Sequence, residues 1–365
     1  MIKIKEIEKV TEKTLSEARK ACYQAFERNI DYGASVEDSC RIIKEDPQKR
    51  IHSFWREALI AKHEEKIIAG ISMVPYSVRY KESALDMVGI GDVFCIKKGT
   101  DAIKSLFTTL FENYKDFTIS VLYPFSDNYY ARYGYASVFF KDQLVFKREY
   151  LLRYFRCKTT LKAASTEDID TMNALYESAA KEYALTALRT DPLDWKYNHY
   201  AINDHGYMAY WISDKNFVIR ESIGLTCEEM STFALKTLPE LEELIINTVF
   251  DQDLFRDLPE HNQNVVCFRK LHGMARIINL EKALKAITHK GEGSIRVRIT
   301  DEMIEKNNRT ILYSWNDKEC TIEDTDSFDF TLDIKELTAL FCLGSTKESF
   351  KDAFPINKCA CYEFF

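Results

Sequence analysis

Glycine, proline and long apolar runs are scarce in this chain of 365 residues. Its 12 glycines and 7 prolines leave little room for flexible linkers, so we expect its domains to pack against one another. No apolar run approaches the roughly 18 residues that a transmembrane helix requires. The opening segment, MIKIKEIEKVTEKTL, alternates charged and apolar residues and lacks the apolar core of a secretory signal. The sequence therefore predicts a cytoplasmic protein without a membrane partner.

Paired cysteine spacings and an excess of positive charge are missing as well. The ten cysteines are scattered, and Cys359 and Cys361 form one close pair that no second Cys or His pair accompanies, so no metal site is predicted. A net charge of −7 argues against a nucleic acid partner, which would require clustered lysines and arginines. The acidic balance favours a basic substrate, although the same charge is also typical of an ordinary soluble surface.

The first 150 residues alternate between strand and helix patterns. A short strand at the N-terminus and a helix over 11–27 precede three strands, of which the third is SALDMVGIGDVFCI. A helix that begins at Thr100 follows, and after it come the strand FTISVLY, a short tyrosine-rich helix and YASVFFKDQLVF, which is a last strand or a hairpin. A strand, a helix and a second strand in this order predict a crossover within one sheet. Such sheets bind ligands at the carboxyl ends of their strands.

The rest of the chain divides into two further patterns. Residues 151–270 look like a weaker second copy of the first unit, with a helix over 166–185, strands in YMAYWISDKNFVIRES and a helix in PELEELIINTVF. Residues 271–365 carry the strands SIRVRIT, RTILYSW, CTIED and FDFTLDI with helices at both ends. We therefore predict a mixed α/β and α+β protein of three domains, 1–150, 151–270 and 271–365.

Five segments, in order along the chain, resemble the landmarks of the Eis-type (enhanced intracellular survival) branch of the GNAT N-acetyltransferases. They are GIGDVF, LYPFSDNYYARYGYAS, LRTDPLDW, MARIINLEKAL and CACYEFF. The resemblance implies a GNAT acyltransferase fold, a second GNAT-like half and a C-terminal SCP2-like (sterol-carrier) α+β domain. It also implies that acetyl is transferred from acetyl-CoA to a primary amine, either aminoglycoside-like or a lysine side chain. A homo-oligomer, and specifically a hexamer, is implied in the same way.

The chemistry of amine acetylation requires an acid and a base. An amine attacks a thioester only when neutral, so its deprotonation has to be assisted, and the departing thiolate needs a proton. A tyrosine stays protonated at neutral pH and can still donate. The resemblance assigns the acid to Tyr130, in YYARYGY, and the base to the C-terminal carboxylate of Phe365. The alternatives are structural: the neighbouring tyrosines are expected to pack beneath the sheet, and a chain terminus is often frayed.

The predicted acetyl-CoA site follows the end of the strand DVFCI and the turn after it. The backbone of Val93 and Cys95 is expected to hold the pantetheine arm in the manner of a strand. In GNAT enzymes the pyrophosphate binds a loop of pattern R-x-x-G-x-[GA] at a helix N-terminus. The corresponding residues here are Lys97, Lys98, Gly99, Thr100 and Ala102.

This turn departs from the family pattern in ways that weaken the expected site. Lys97 replaces an arginine, Gly99 comes one place early, and Asp101 would compete with a diphosphate at the helix N-terminus. Asp92 either attracts the amine, serves as a base or is only a bulge residue. The alternative interpretation of the chain is a non-catalytic Eis-like protein that binds a small apolar or cationic ligand.

Overall fold

The computed structural model describes residues 4, 6–26, 57–155, 160–189, 195, 199–248, 254 and 258–361. These residues form two compact units, each built from separate stretches of the chain. The described residues within 1–138 and 273–358 make the first unit, and those within 139–272 and 359–361 make the second. The predicted domain limits at 150 and 270 stay a prediction about which stretches fold by themselves.

The sheet of the first unit begins with an antiparallel meander and ends with a crossover. In sheet order its strands are β1 (Glu6–Lys9), β2 (Ala58–His63), β3 (Lys66–Tyr80), β4 (Ser83–Cys95), β5 (Ile119–Leu122) and residues 274–277 of β12 (Val265–Ile277). β4 and β5 are parallel, and β12 runs antiparallel to β5. The last strand of this sheet thus comes from a part of the chain more than 130 positions away, which sequence patterns do not reveal.

In the described part of the chain, three helices accompany this sheet. α1 (Glu12–Ala25) begins with a capping box between Thr11 and Thr14. α2 (Ala102–Asn113) connects β4 to β5 and buries the apolar stripe that the sequence predicts. Its N-cap is Asp101 rather than the predicted Thr100. α3 (Asp127–Ala131) is the short tyrosine-rich helix.

The second unit repeats the same plan. Its sheet contains β6 (Ala136–Lys147), β11 (Glu243–Thr248), β10 (Asn216–Ile223), β9 (Tyr207–Ser213), β8 (His199–Ile202) and β7 (Lys162–Ala163), in that order. Its helices are α4 (Arg148–Tyr154), α5 (Ile169–Ala180) and α6 (Cys227–Thr237). As in the first unit, two parallel strands, β10 and β11, flank a helix, and an antiparallel strand, β6, follows. This repetition agrees with the predicted second GNAT-like half.

One predicted helix is wrong. The segment PELEELIINTVF was expected to be helical, but Glu243–Thr248 within it form β11, and the crossover helix is α6, which the sequence analysis did not identify. The leucines and glutamates in the first half of this segment favour a helix. Leu244 and Ile246, however, are fully buried in the interior of the sheet, where short apolar and β-branched residues favour a strand.

The C-terminal part of the first unit is an α+β domain, as predicted. It has a four-stranded sheet of order β15 (Cys320–Asp324), β14 (Arg309–Trp315), β13 (Gly293–Thr300) and β16 (Phe330–Asp333). α7 (Leu280–Lys285) precedes these strands, and α8 (Ile334–Leu343) follows them. Tyr80 of β3 stacks on Phe341 of α8 with ring centroids 4.4 Å apart and donates a hydrogen bond to its carbonyl. In the described part of the chain every helix is too short or too polar to span a bilayer.

Candidate active site

β4 extends beyond the point where its pairing with β5 ends. The two strands pair from Met87 and Ile119 to Ile90 and Leu122, after which β4 continues to Cys95. Within the described residues no strand pairs with β4 on the β5 side beyond Ile90. Val93 and Cys95, the predicted pantetheine-binding residues, therefore have no strand neighbour on this side among the described residues, and we call this stretch the open edge of β4.

A bulge marks the place where the strands separate. Against β3, Gly91 pairs with Ser72 and Phe94 with Gly70, so that Asp92 and Val93 together oppose the single residue Ile71. Asp92 is half-buried and has a φ of +45°, a left-handed conformation that aspartate tolerates better than most residues. Of the alternatives for Asp92, the structure therefore shows the bulge, while a contact with substrate stays a prediction.

The predicted pyrophosphate-binding residues form a closed turn at the start of α2. The Lys97 carbonyl accepts hydrogen bonds from the Thr100 hydroxyl and the Cys95 thiol, each at 3.3 Å. Gly99 has a φ of +78°, and a side chain at this position would have no heavy atom within 4 Å. The turn thus faces open space beside the first amides of α2, which have no partners within the helix.

Asp101 has a structural partner that the sequence analysis missed. Its Oδ1 accepts a hydrogen bond of 2.7 Å from the amide of Ile4, a buried residue. One oxygen of this carboxylate thus has a structural partner, while the expected competition with a diphosphate stays a prediction. The signal was absent from the sequence because the two residues are 97 positions apart.

Tyr130 is held by aromatic rings on several sides and is only 3% exposed. The rings of Phe125, Tyr129 and Phe107 lie 5.4, 5.2 and 6.4 Å from its own. Burial, and to a smaller extent the neighbouring tyrosines, raises the pKa of the Tyr130 phenol above its ordinary value, so it stays protonated at neutral pH. Among the described residues none makes a hydrogen bond to the Tyr130 hydroxyl. The hydroxyl is thus not committed to a structural role there.

The hydroxyls of the other three tyrosines of this segment, Tyr129, Tyr133 and Tyr135, have hydrogen-bond partners. The Tyr135 hydroxyl lies 2.6 Å from the Ser120 Oγ, and the residue is fully buried. Tyr133 stacks on Phe107 at 4.7 Å, and its hydroxyl is hydrogen-bonded to that of Tyr129. The hydrogen bonds of these hydroxyls fit the structural role predicted for the three residues and distinguish them from Tyr130, whose hydroxyl has none among the described residues.

The tyrosine cluster and the end of β4 are close to each other. Burial is the main reason that the pKa values of Tyr129 and Tyr133 are raised, and the Cys95 thiol is near enough to raise both further. The structure therefore brings the open edge of β4, the turn before α2 and the helix that carries Tyr130 into one region of the first unit. Phe365, the predicted source of the base, lies outside the described residues, which end at Cys361.

The corresponding region of the second unit differs. β10 has its own register shift at Arg220, but the turn after it is crowded, since a side chain at Gly224 would lie 2.2 Å from the His205 carbonyl oxygen. At the start of α6, Thr226 and Glu229 form a capping box, and Glu228 adds a second carboxylate in the first turn. These carboxylates oppose anion binding. Of the two helix starts, that of α2 is therefore the better candidate for a phosphate group.

Two family models match this chain, and both matches lie in the first unit. Residues 6–138 match the model of the acetyltransferase (GNAT) domain, and residues 280–353 match that of the sterol carrier protein domain. No curated protein matches the chain. Three solved structures share its fold over 99% of its length and at least 99% of their own, at 18%, 17% and 13% identity with TM-scores of 0.79, 0.76 and 0.70. They are a conserved Enterococcus faecalis V583 protein described as a probable N-acyltransferase, a GCN5-related N-acetyltransferase from Anabaena variabilis and Eis1 from Mycobacterium abscessus.

The similarity in structure at such low identity shows the fold, and the two domain models give its parts. The predicted GNAT fold and the SCP2-like domain are thereby confirmed. The chain carries a GNAT-type acetyltransferase domain in residues 6–138 and a sterol-carrier-like domain in residues 280–353.

Proposed function

We propose that this protein is an Eis-like N-acetyltransferase that moves acetyl from acetyl-CoA directly to a primary amine. The observation that carries this proposal is the buried phenol of Tyr130, with its uncommitted hydroxyl, in the same region as the open edge of β4. A strand edge can hold the amides of pantetheine, and an adjacent neutral phenol can protonate the sulfur that leaves.

The reaction divides between an acid and a base. The nitrogen lone pair attacks the thioester carbon, and the tetrahedral intermediate expels the CoA thiolate, which takes the proton of Tyr130. The C-terminal carboxylate of Phe365 accepts the proton that the amine loses. Because burial raises the pKa of Tyr130, this residue stays in the acid form that the step requires.

Each part of acetyl-CoA has a candidate contact. The backbone of Val93 and Cys95 would hold the pantetheine arm, while the amides near Gly99, Thr100 and Ala102 would face the pyrophosphate. Lys97 and Lys98 supply positive charge for the phosphates. Asp92, at the bulge, would attract the cationic form of the amine.

The acceptor amine belongs to an aminoglycoside-like molecule or to a lysine side chain. Both are cationic at neutral pH, which suits a chain of net charge −7. The resemblance to the Eis type further supports a cytoplasmic homo-oligomer, and specifically a hexamer. These finer assignments are proposals that substrate profiling and measurement of the solution mass would test.

Binding of CoA is the first test. A ligand at 100 times its dissociation constant adds about 2.7 kcal/mol to the free energy of unfolding, so CoA should raise the melting temperature. The double variant Lys97→Ala/Lys98→Ala should need more CoA for the same shift because it lacks the phosphate-binding charges. A melting temperature unmoved by millimolar CoA would contradict the proposal.

The acid and the base can be tested in parallel. Tyr130→Phe should lower kcat about ten-fold or more, because only the proton donor is lost. Extension of the C-terminus by one glycine should have a similar effect, because it displaces the carboxylate. Tyr135→Phe is the matched control: it loses a buried hydrogen bond and about 1 kcal/mol of stability but should keep its kcat. Unchanged rates in both test variants would reject these roles.

A second candidate function, binding of a small apolar molecule without catalysis, rests on a cavity in the first unit. This cavity of about 430 Å³ is lined by α2, by residues 278–281 and by residues 303–309. Phe111, Met303 and Ile304 make its surface partly apolar. If this alternative holds, the protein should enhance the fluorescence of 1-anilinonaphthalene-8-sulfonate, and Ile304→Trp should abolish that enhancement. These two results, together with no response to CoA, would favour the alternative.

A further inference from the structure

Arg276 and Asp301 form a fully buried ion pair in the first unit. Arg276 lies in the segment MARIINLEKAL, and its Nη2 lies 2.7 Å from both carboxylate oxygens of Asp301. Both side chains are 0% exposed. A buried pair of charges is costly to desolvate and is a poor source of stability unless every polar atom has a partner. The Arg276 Nε has no hydrogen-bond partner among the described residues, so stability alone does not explain the pair, and the partners of its other polar atoms indicate what it does.

Asp301 is fixed by its own loop. Its Oδ1 accepts hydrogen bonds from the amides of Met303 and Ile304 at 2.9 and 3.1 Å. Its Oδ2 accepts another from the Asn307 side chain at 2.9 Å. The carboxylate thus has little freedom, and it holds the guanidinium of Arg276 in one orientation.

Arg276 in turn holds the turn that follows Tyr130. Its Nη1 donates a hydrogen bond to the Tyr133 carbonyl. The amides of Tyr133 and Tyr135 both donate to the carbonyl of Tyr130, at 2.9 and 3.4 Å. The backbone of this turn is therefore hydrogen-bonded both to the Tyr130 carbonyl and to the Arg276 side chain.

Gly134 allows this close approach. It has a φ of +85°, and a Cβ at this position would lie 1.9 Å from the Arg276 Nη1. The guanidinium occupies the space where any side chain would lie, and it also lies over the Phe111 ring, 4.4 Å from the ring centroid. The turn cannot relax without a movement of Arg276.

We propose that the Arg276–Asp301 pair is a positioning device for Tyr130. This inference rests on the proposed function, in which Tyr130 protonates the leaving thiolate. Because the described residues offer the Tyr130 hydroxyl no hydrogen bond, its location depends on its rings and on the backbone turn that Arg276 fixes. A displacement of about 1 Å in a catalytic group can cost up to about a hundred-fold in rate.

The test compares two conservative substitutions. Arg276→Lys keeps the charge but loses the paired geometry. The matched control is Arg189→Lys in the second unit, where Arg189 and Glu221 also form a buried pair with two hydrogen bonds of 2.8 Å. We expect both variants to lose a similar amount of thermal stability. Only Arg276→Lys should lower kcat, by about ten-fold, with unchanged KM for acetyl-CoA.

A double-mutant cycle separates positioning from general damage. If Arg276 acts through Tyr130, the variant Tyr130→Phe/Arg276→Lys should be no slower than Tyr130→Phe alone. Independent effects would multiply instead and would overturn the inference. Should Arg276→Lys fail to fold, Asn307→Ala, which removes one support of Asp301, should show the same pattern with a smaller loss of kcat.

The outcomes distinguish this inference from the proposed function. A wild-type protein that transfers no acetyl, or a Tyr130→Phe variant with normal kcat, would overturn both. A Tyr130→Phe variant that is slow beside an Arg276→Lys variant that behaves like Arg189→Lys would overturn the positioning role alone.

Discussion

Asp92 combines a left-handed backbone with a half-buried carboxylate at the point where β4 separates from β5. A bulge re-aims the side chains near it, and bulges are over-represented next to active sites. The backbone conformation explains why a short polar residue is accepted here. It does not by itself require a charge, since asparagine and glycine adopt the same conformation readily.

Asp92→Asn therefore separates the two roles of this residue. If the carboxylate attracts the amine, the variant should show a KM for the amine about ten-fold higher, with little change in kcat or melting temperature. Asp92→Gly, which also keeps the bulge, is the matched control for the backbone and should give the same KM. An unchanged KM in steady-state assays would leave Asp92 with its bulge role only.

Other residue-scale features depended on contacts between distant parts of the sequence. The tyrosine pattern around Tyr130 could be noticed because its residues are consecutive, and the catalytic role of Tyr130 stays a prediction. The partners Ile4 of Asp101 and Arg276 of Tyr133 could not be predicted, because no periodicity connects residues 97 or 143 positions apart. Individual side chains were therefore predictable only where the signal was local.

At the scale of elements, β12 carries a histidine in an unfavourable place for charge. His272 is largely buried, and burial is the main cause that lowers its pKa to about 3. Lys141 of β6 and Arg220 of β10 add to this effect, as does Lys270 of β12, while a hydrogen bond with the Cys361 backbone opposes it. The folded protein thus keeps His272 neutral at pH values where the unfolded chain would protonate it.

The sign of the resulting pH dependence follows. Above pH 6.5 His272 is neutral in both the folded and the unfolded protein, so it does not make the free energy of unfolding depend on pH. As the pH falls from 6.5 towards 3, only the unfolded state gains the proton, so stability is lost progressively, by about 2 kcal/mol at pH 5. Compared with the wild-type protein, His272→Gln should therefore show a flatter fall of melting temperature between pH 7 and pH 5. Parallel curves for the two proteins would contradict this role.

Elements with a strong local pattern were predicted well. β13 and β14 bury residues at alternate positions, and all four predicted strands of the C-terminal domain were found within a few residues. β11 was mistaken for a helix because the glutamates and leucines before it and at its start favour a helix when considered without their neighbours. The segment forms a strand because its apolar residues are buried in the sheet.

At the scale of the whole molecule, the first unit draws on two separated stretches of the chain. Its strand β5 pairs with β4 on one side and with residues 274–277 on the other. Arg276 on this last strand also holds the turn after Tyr130. A boundary at residue 150, as the sequence suggests, would separate these partners.

A fragment of residues 1–150 should therefore fold poorly by itself. It would expose the edge of β5, lose the Arg276 contacts and present unpaired backbone groups that promote aggregation. We expect low soluble yield and no cooperative thermal transition by circular dichroism. Co-expression with residues 273–365 should restore a soluble complex, because it returns the missing strand and the Arg276–Asp301 pair. If the 1–150 fragment alone melted cooperatively and bound CoA as tightly as the full chain, the acetyltransferase domain would be autonomous, and the strand from 274–277 would serve only as its cover.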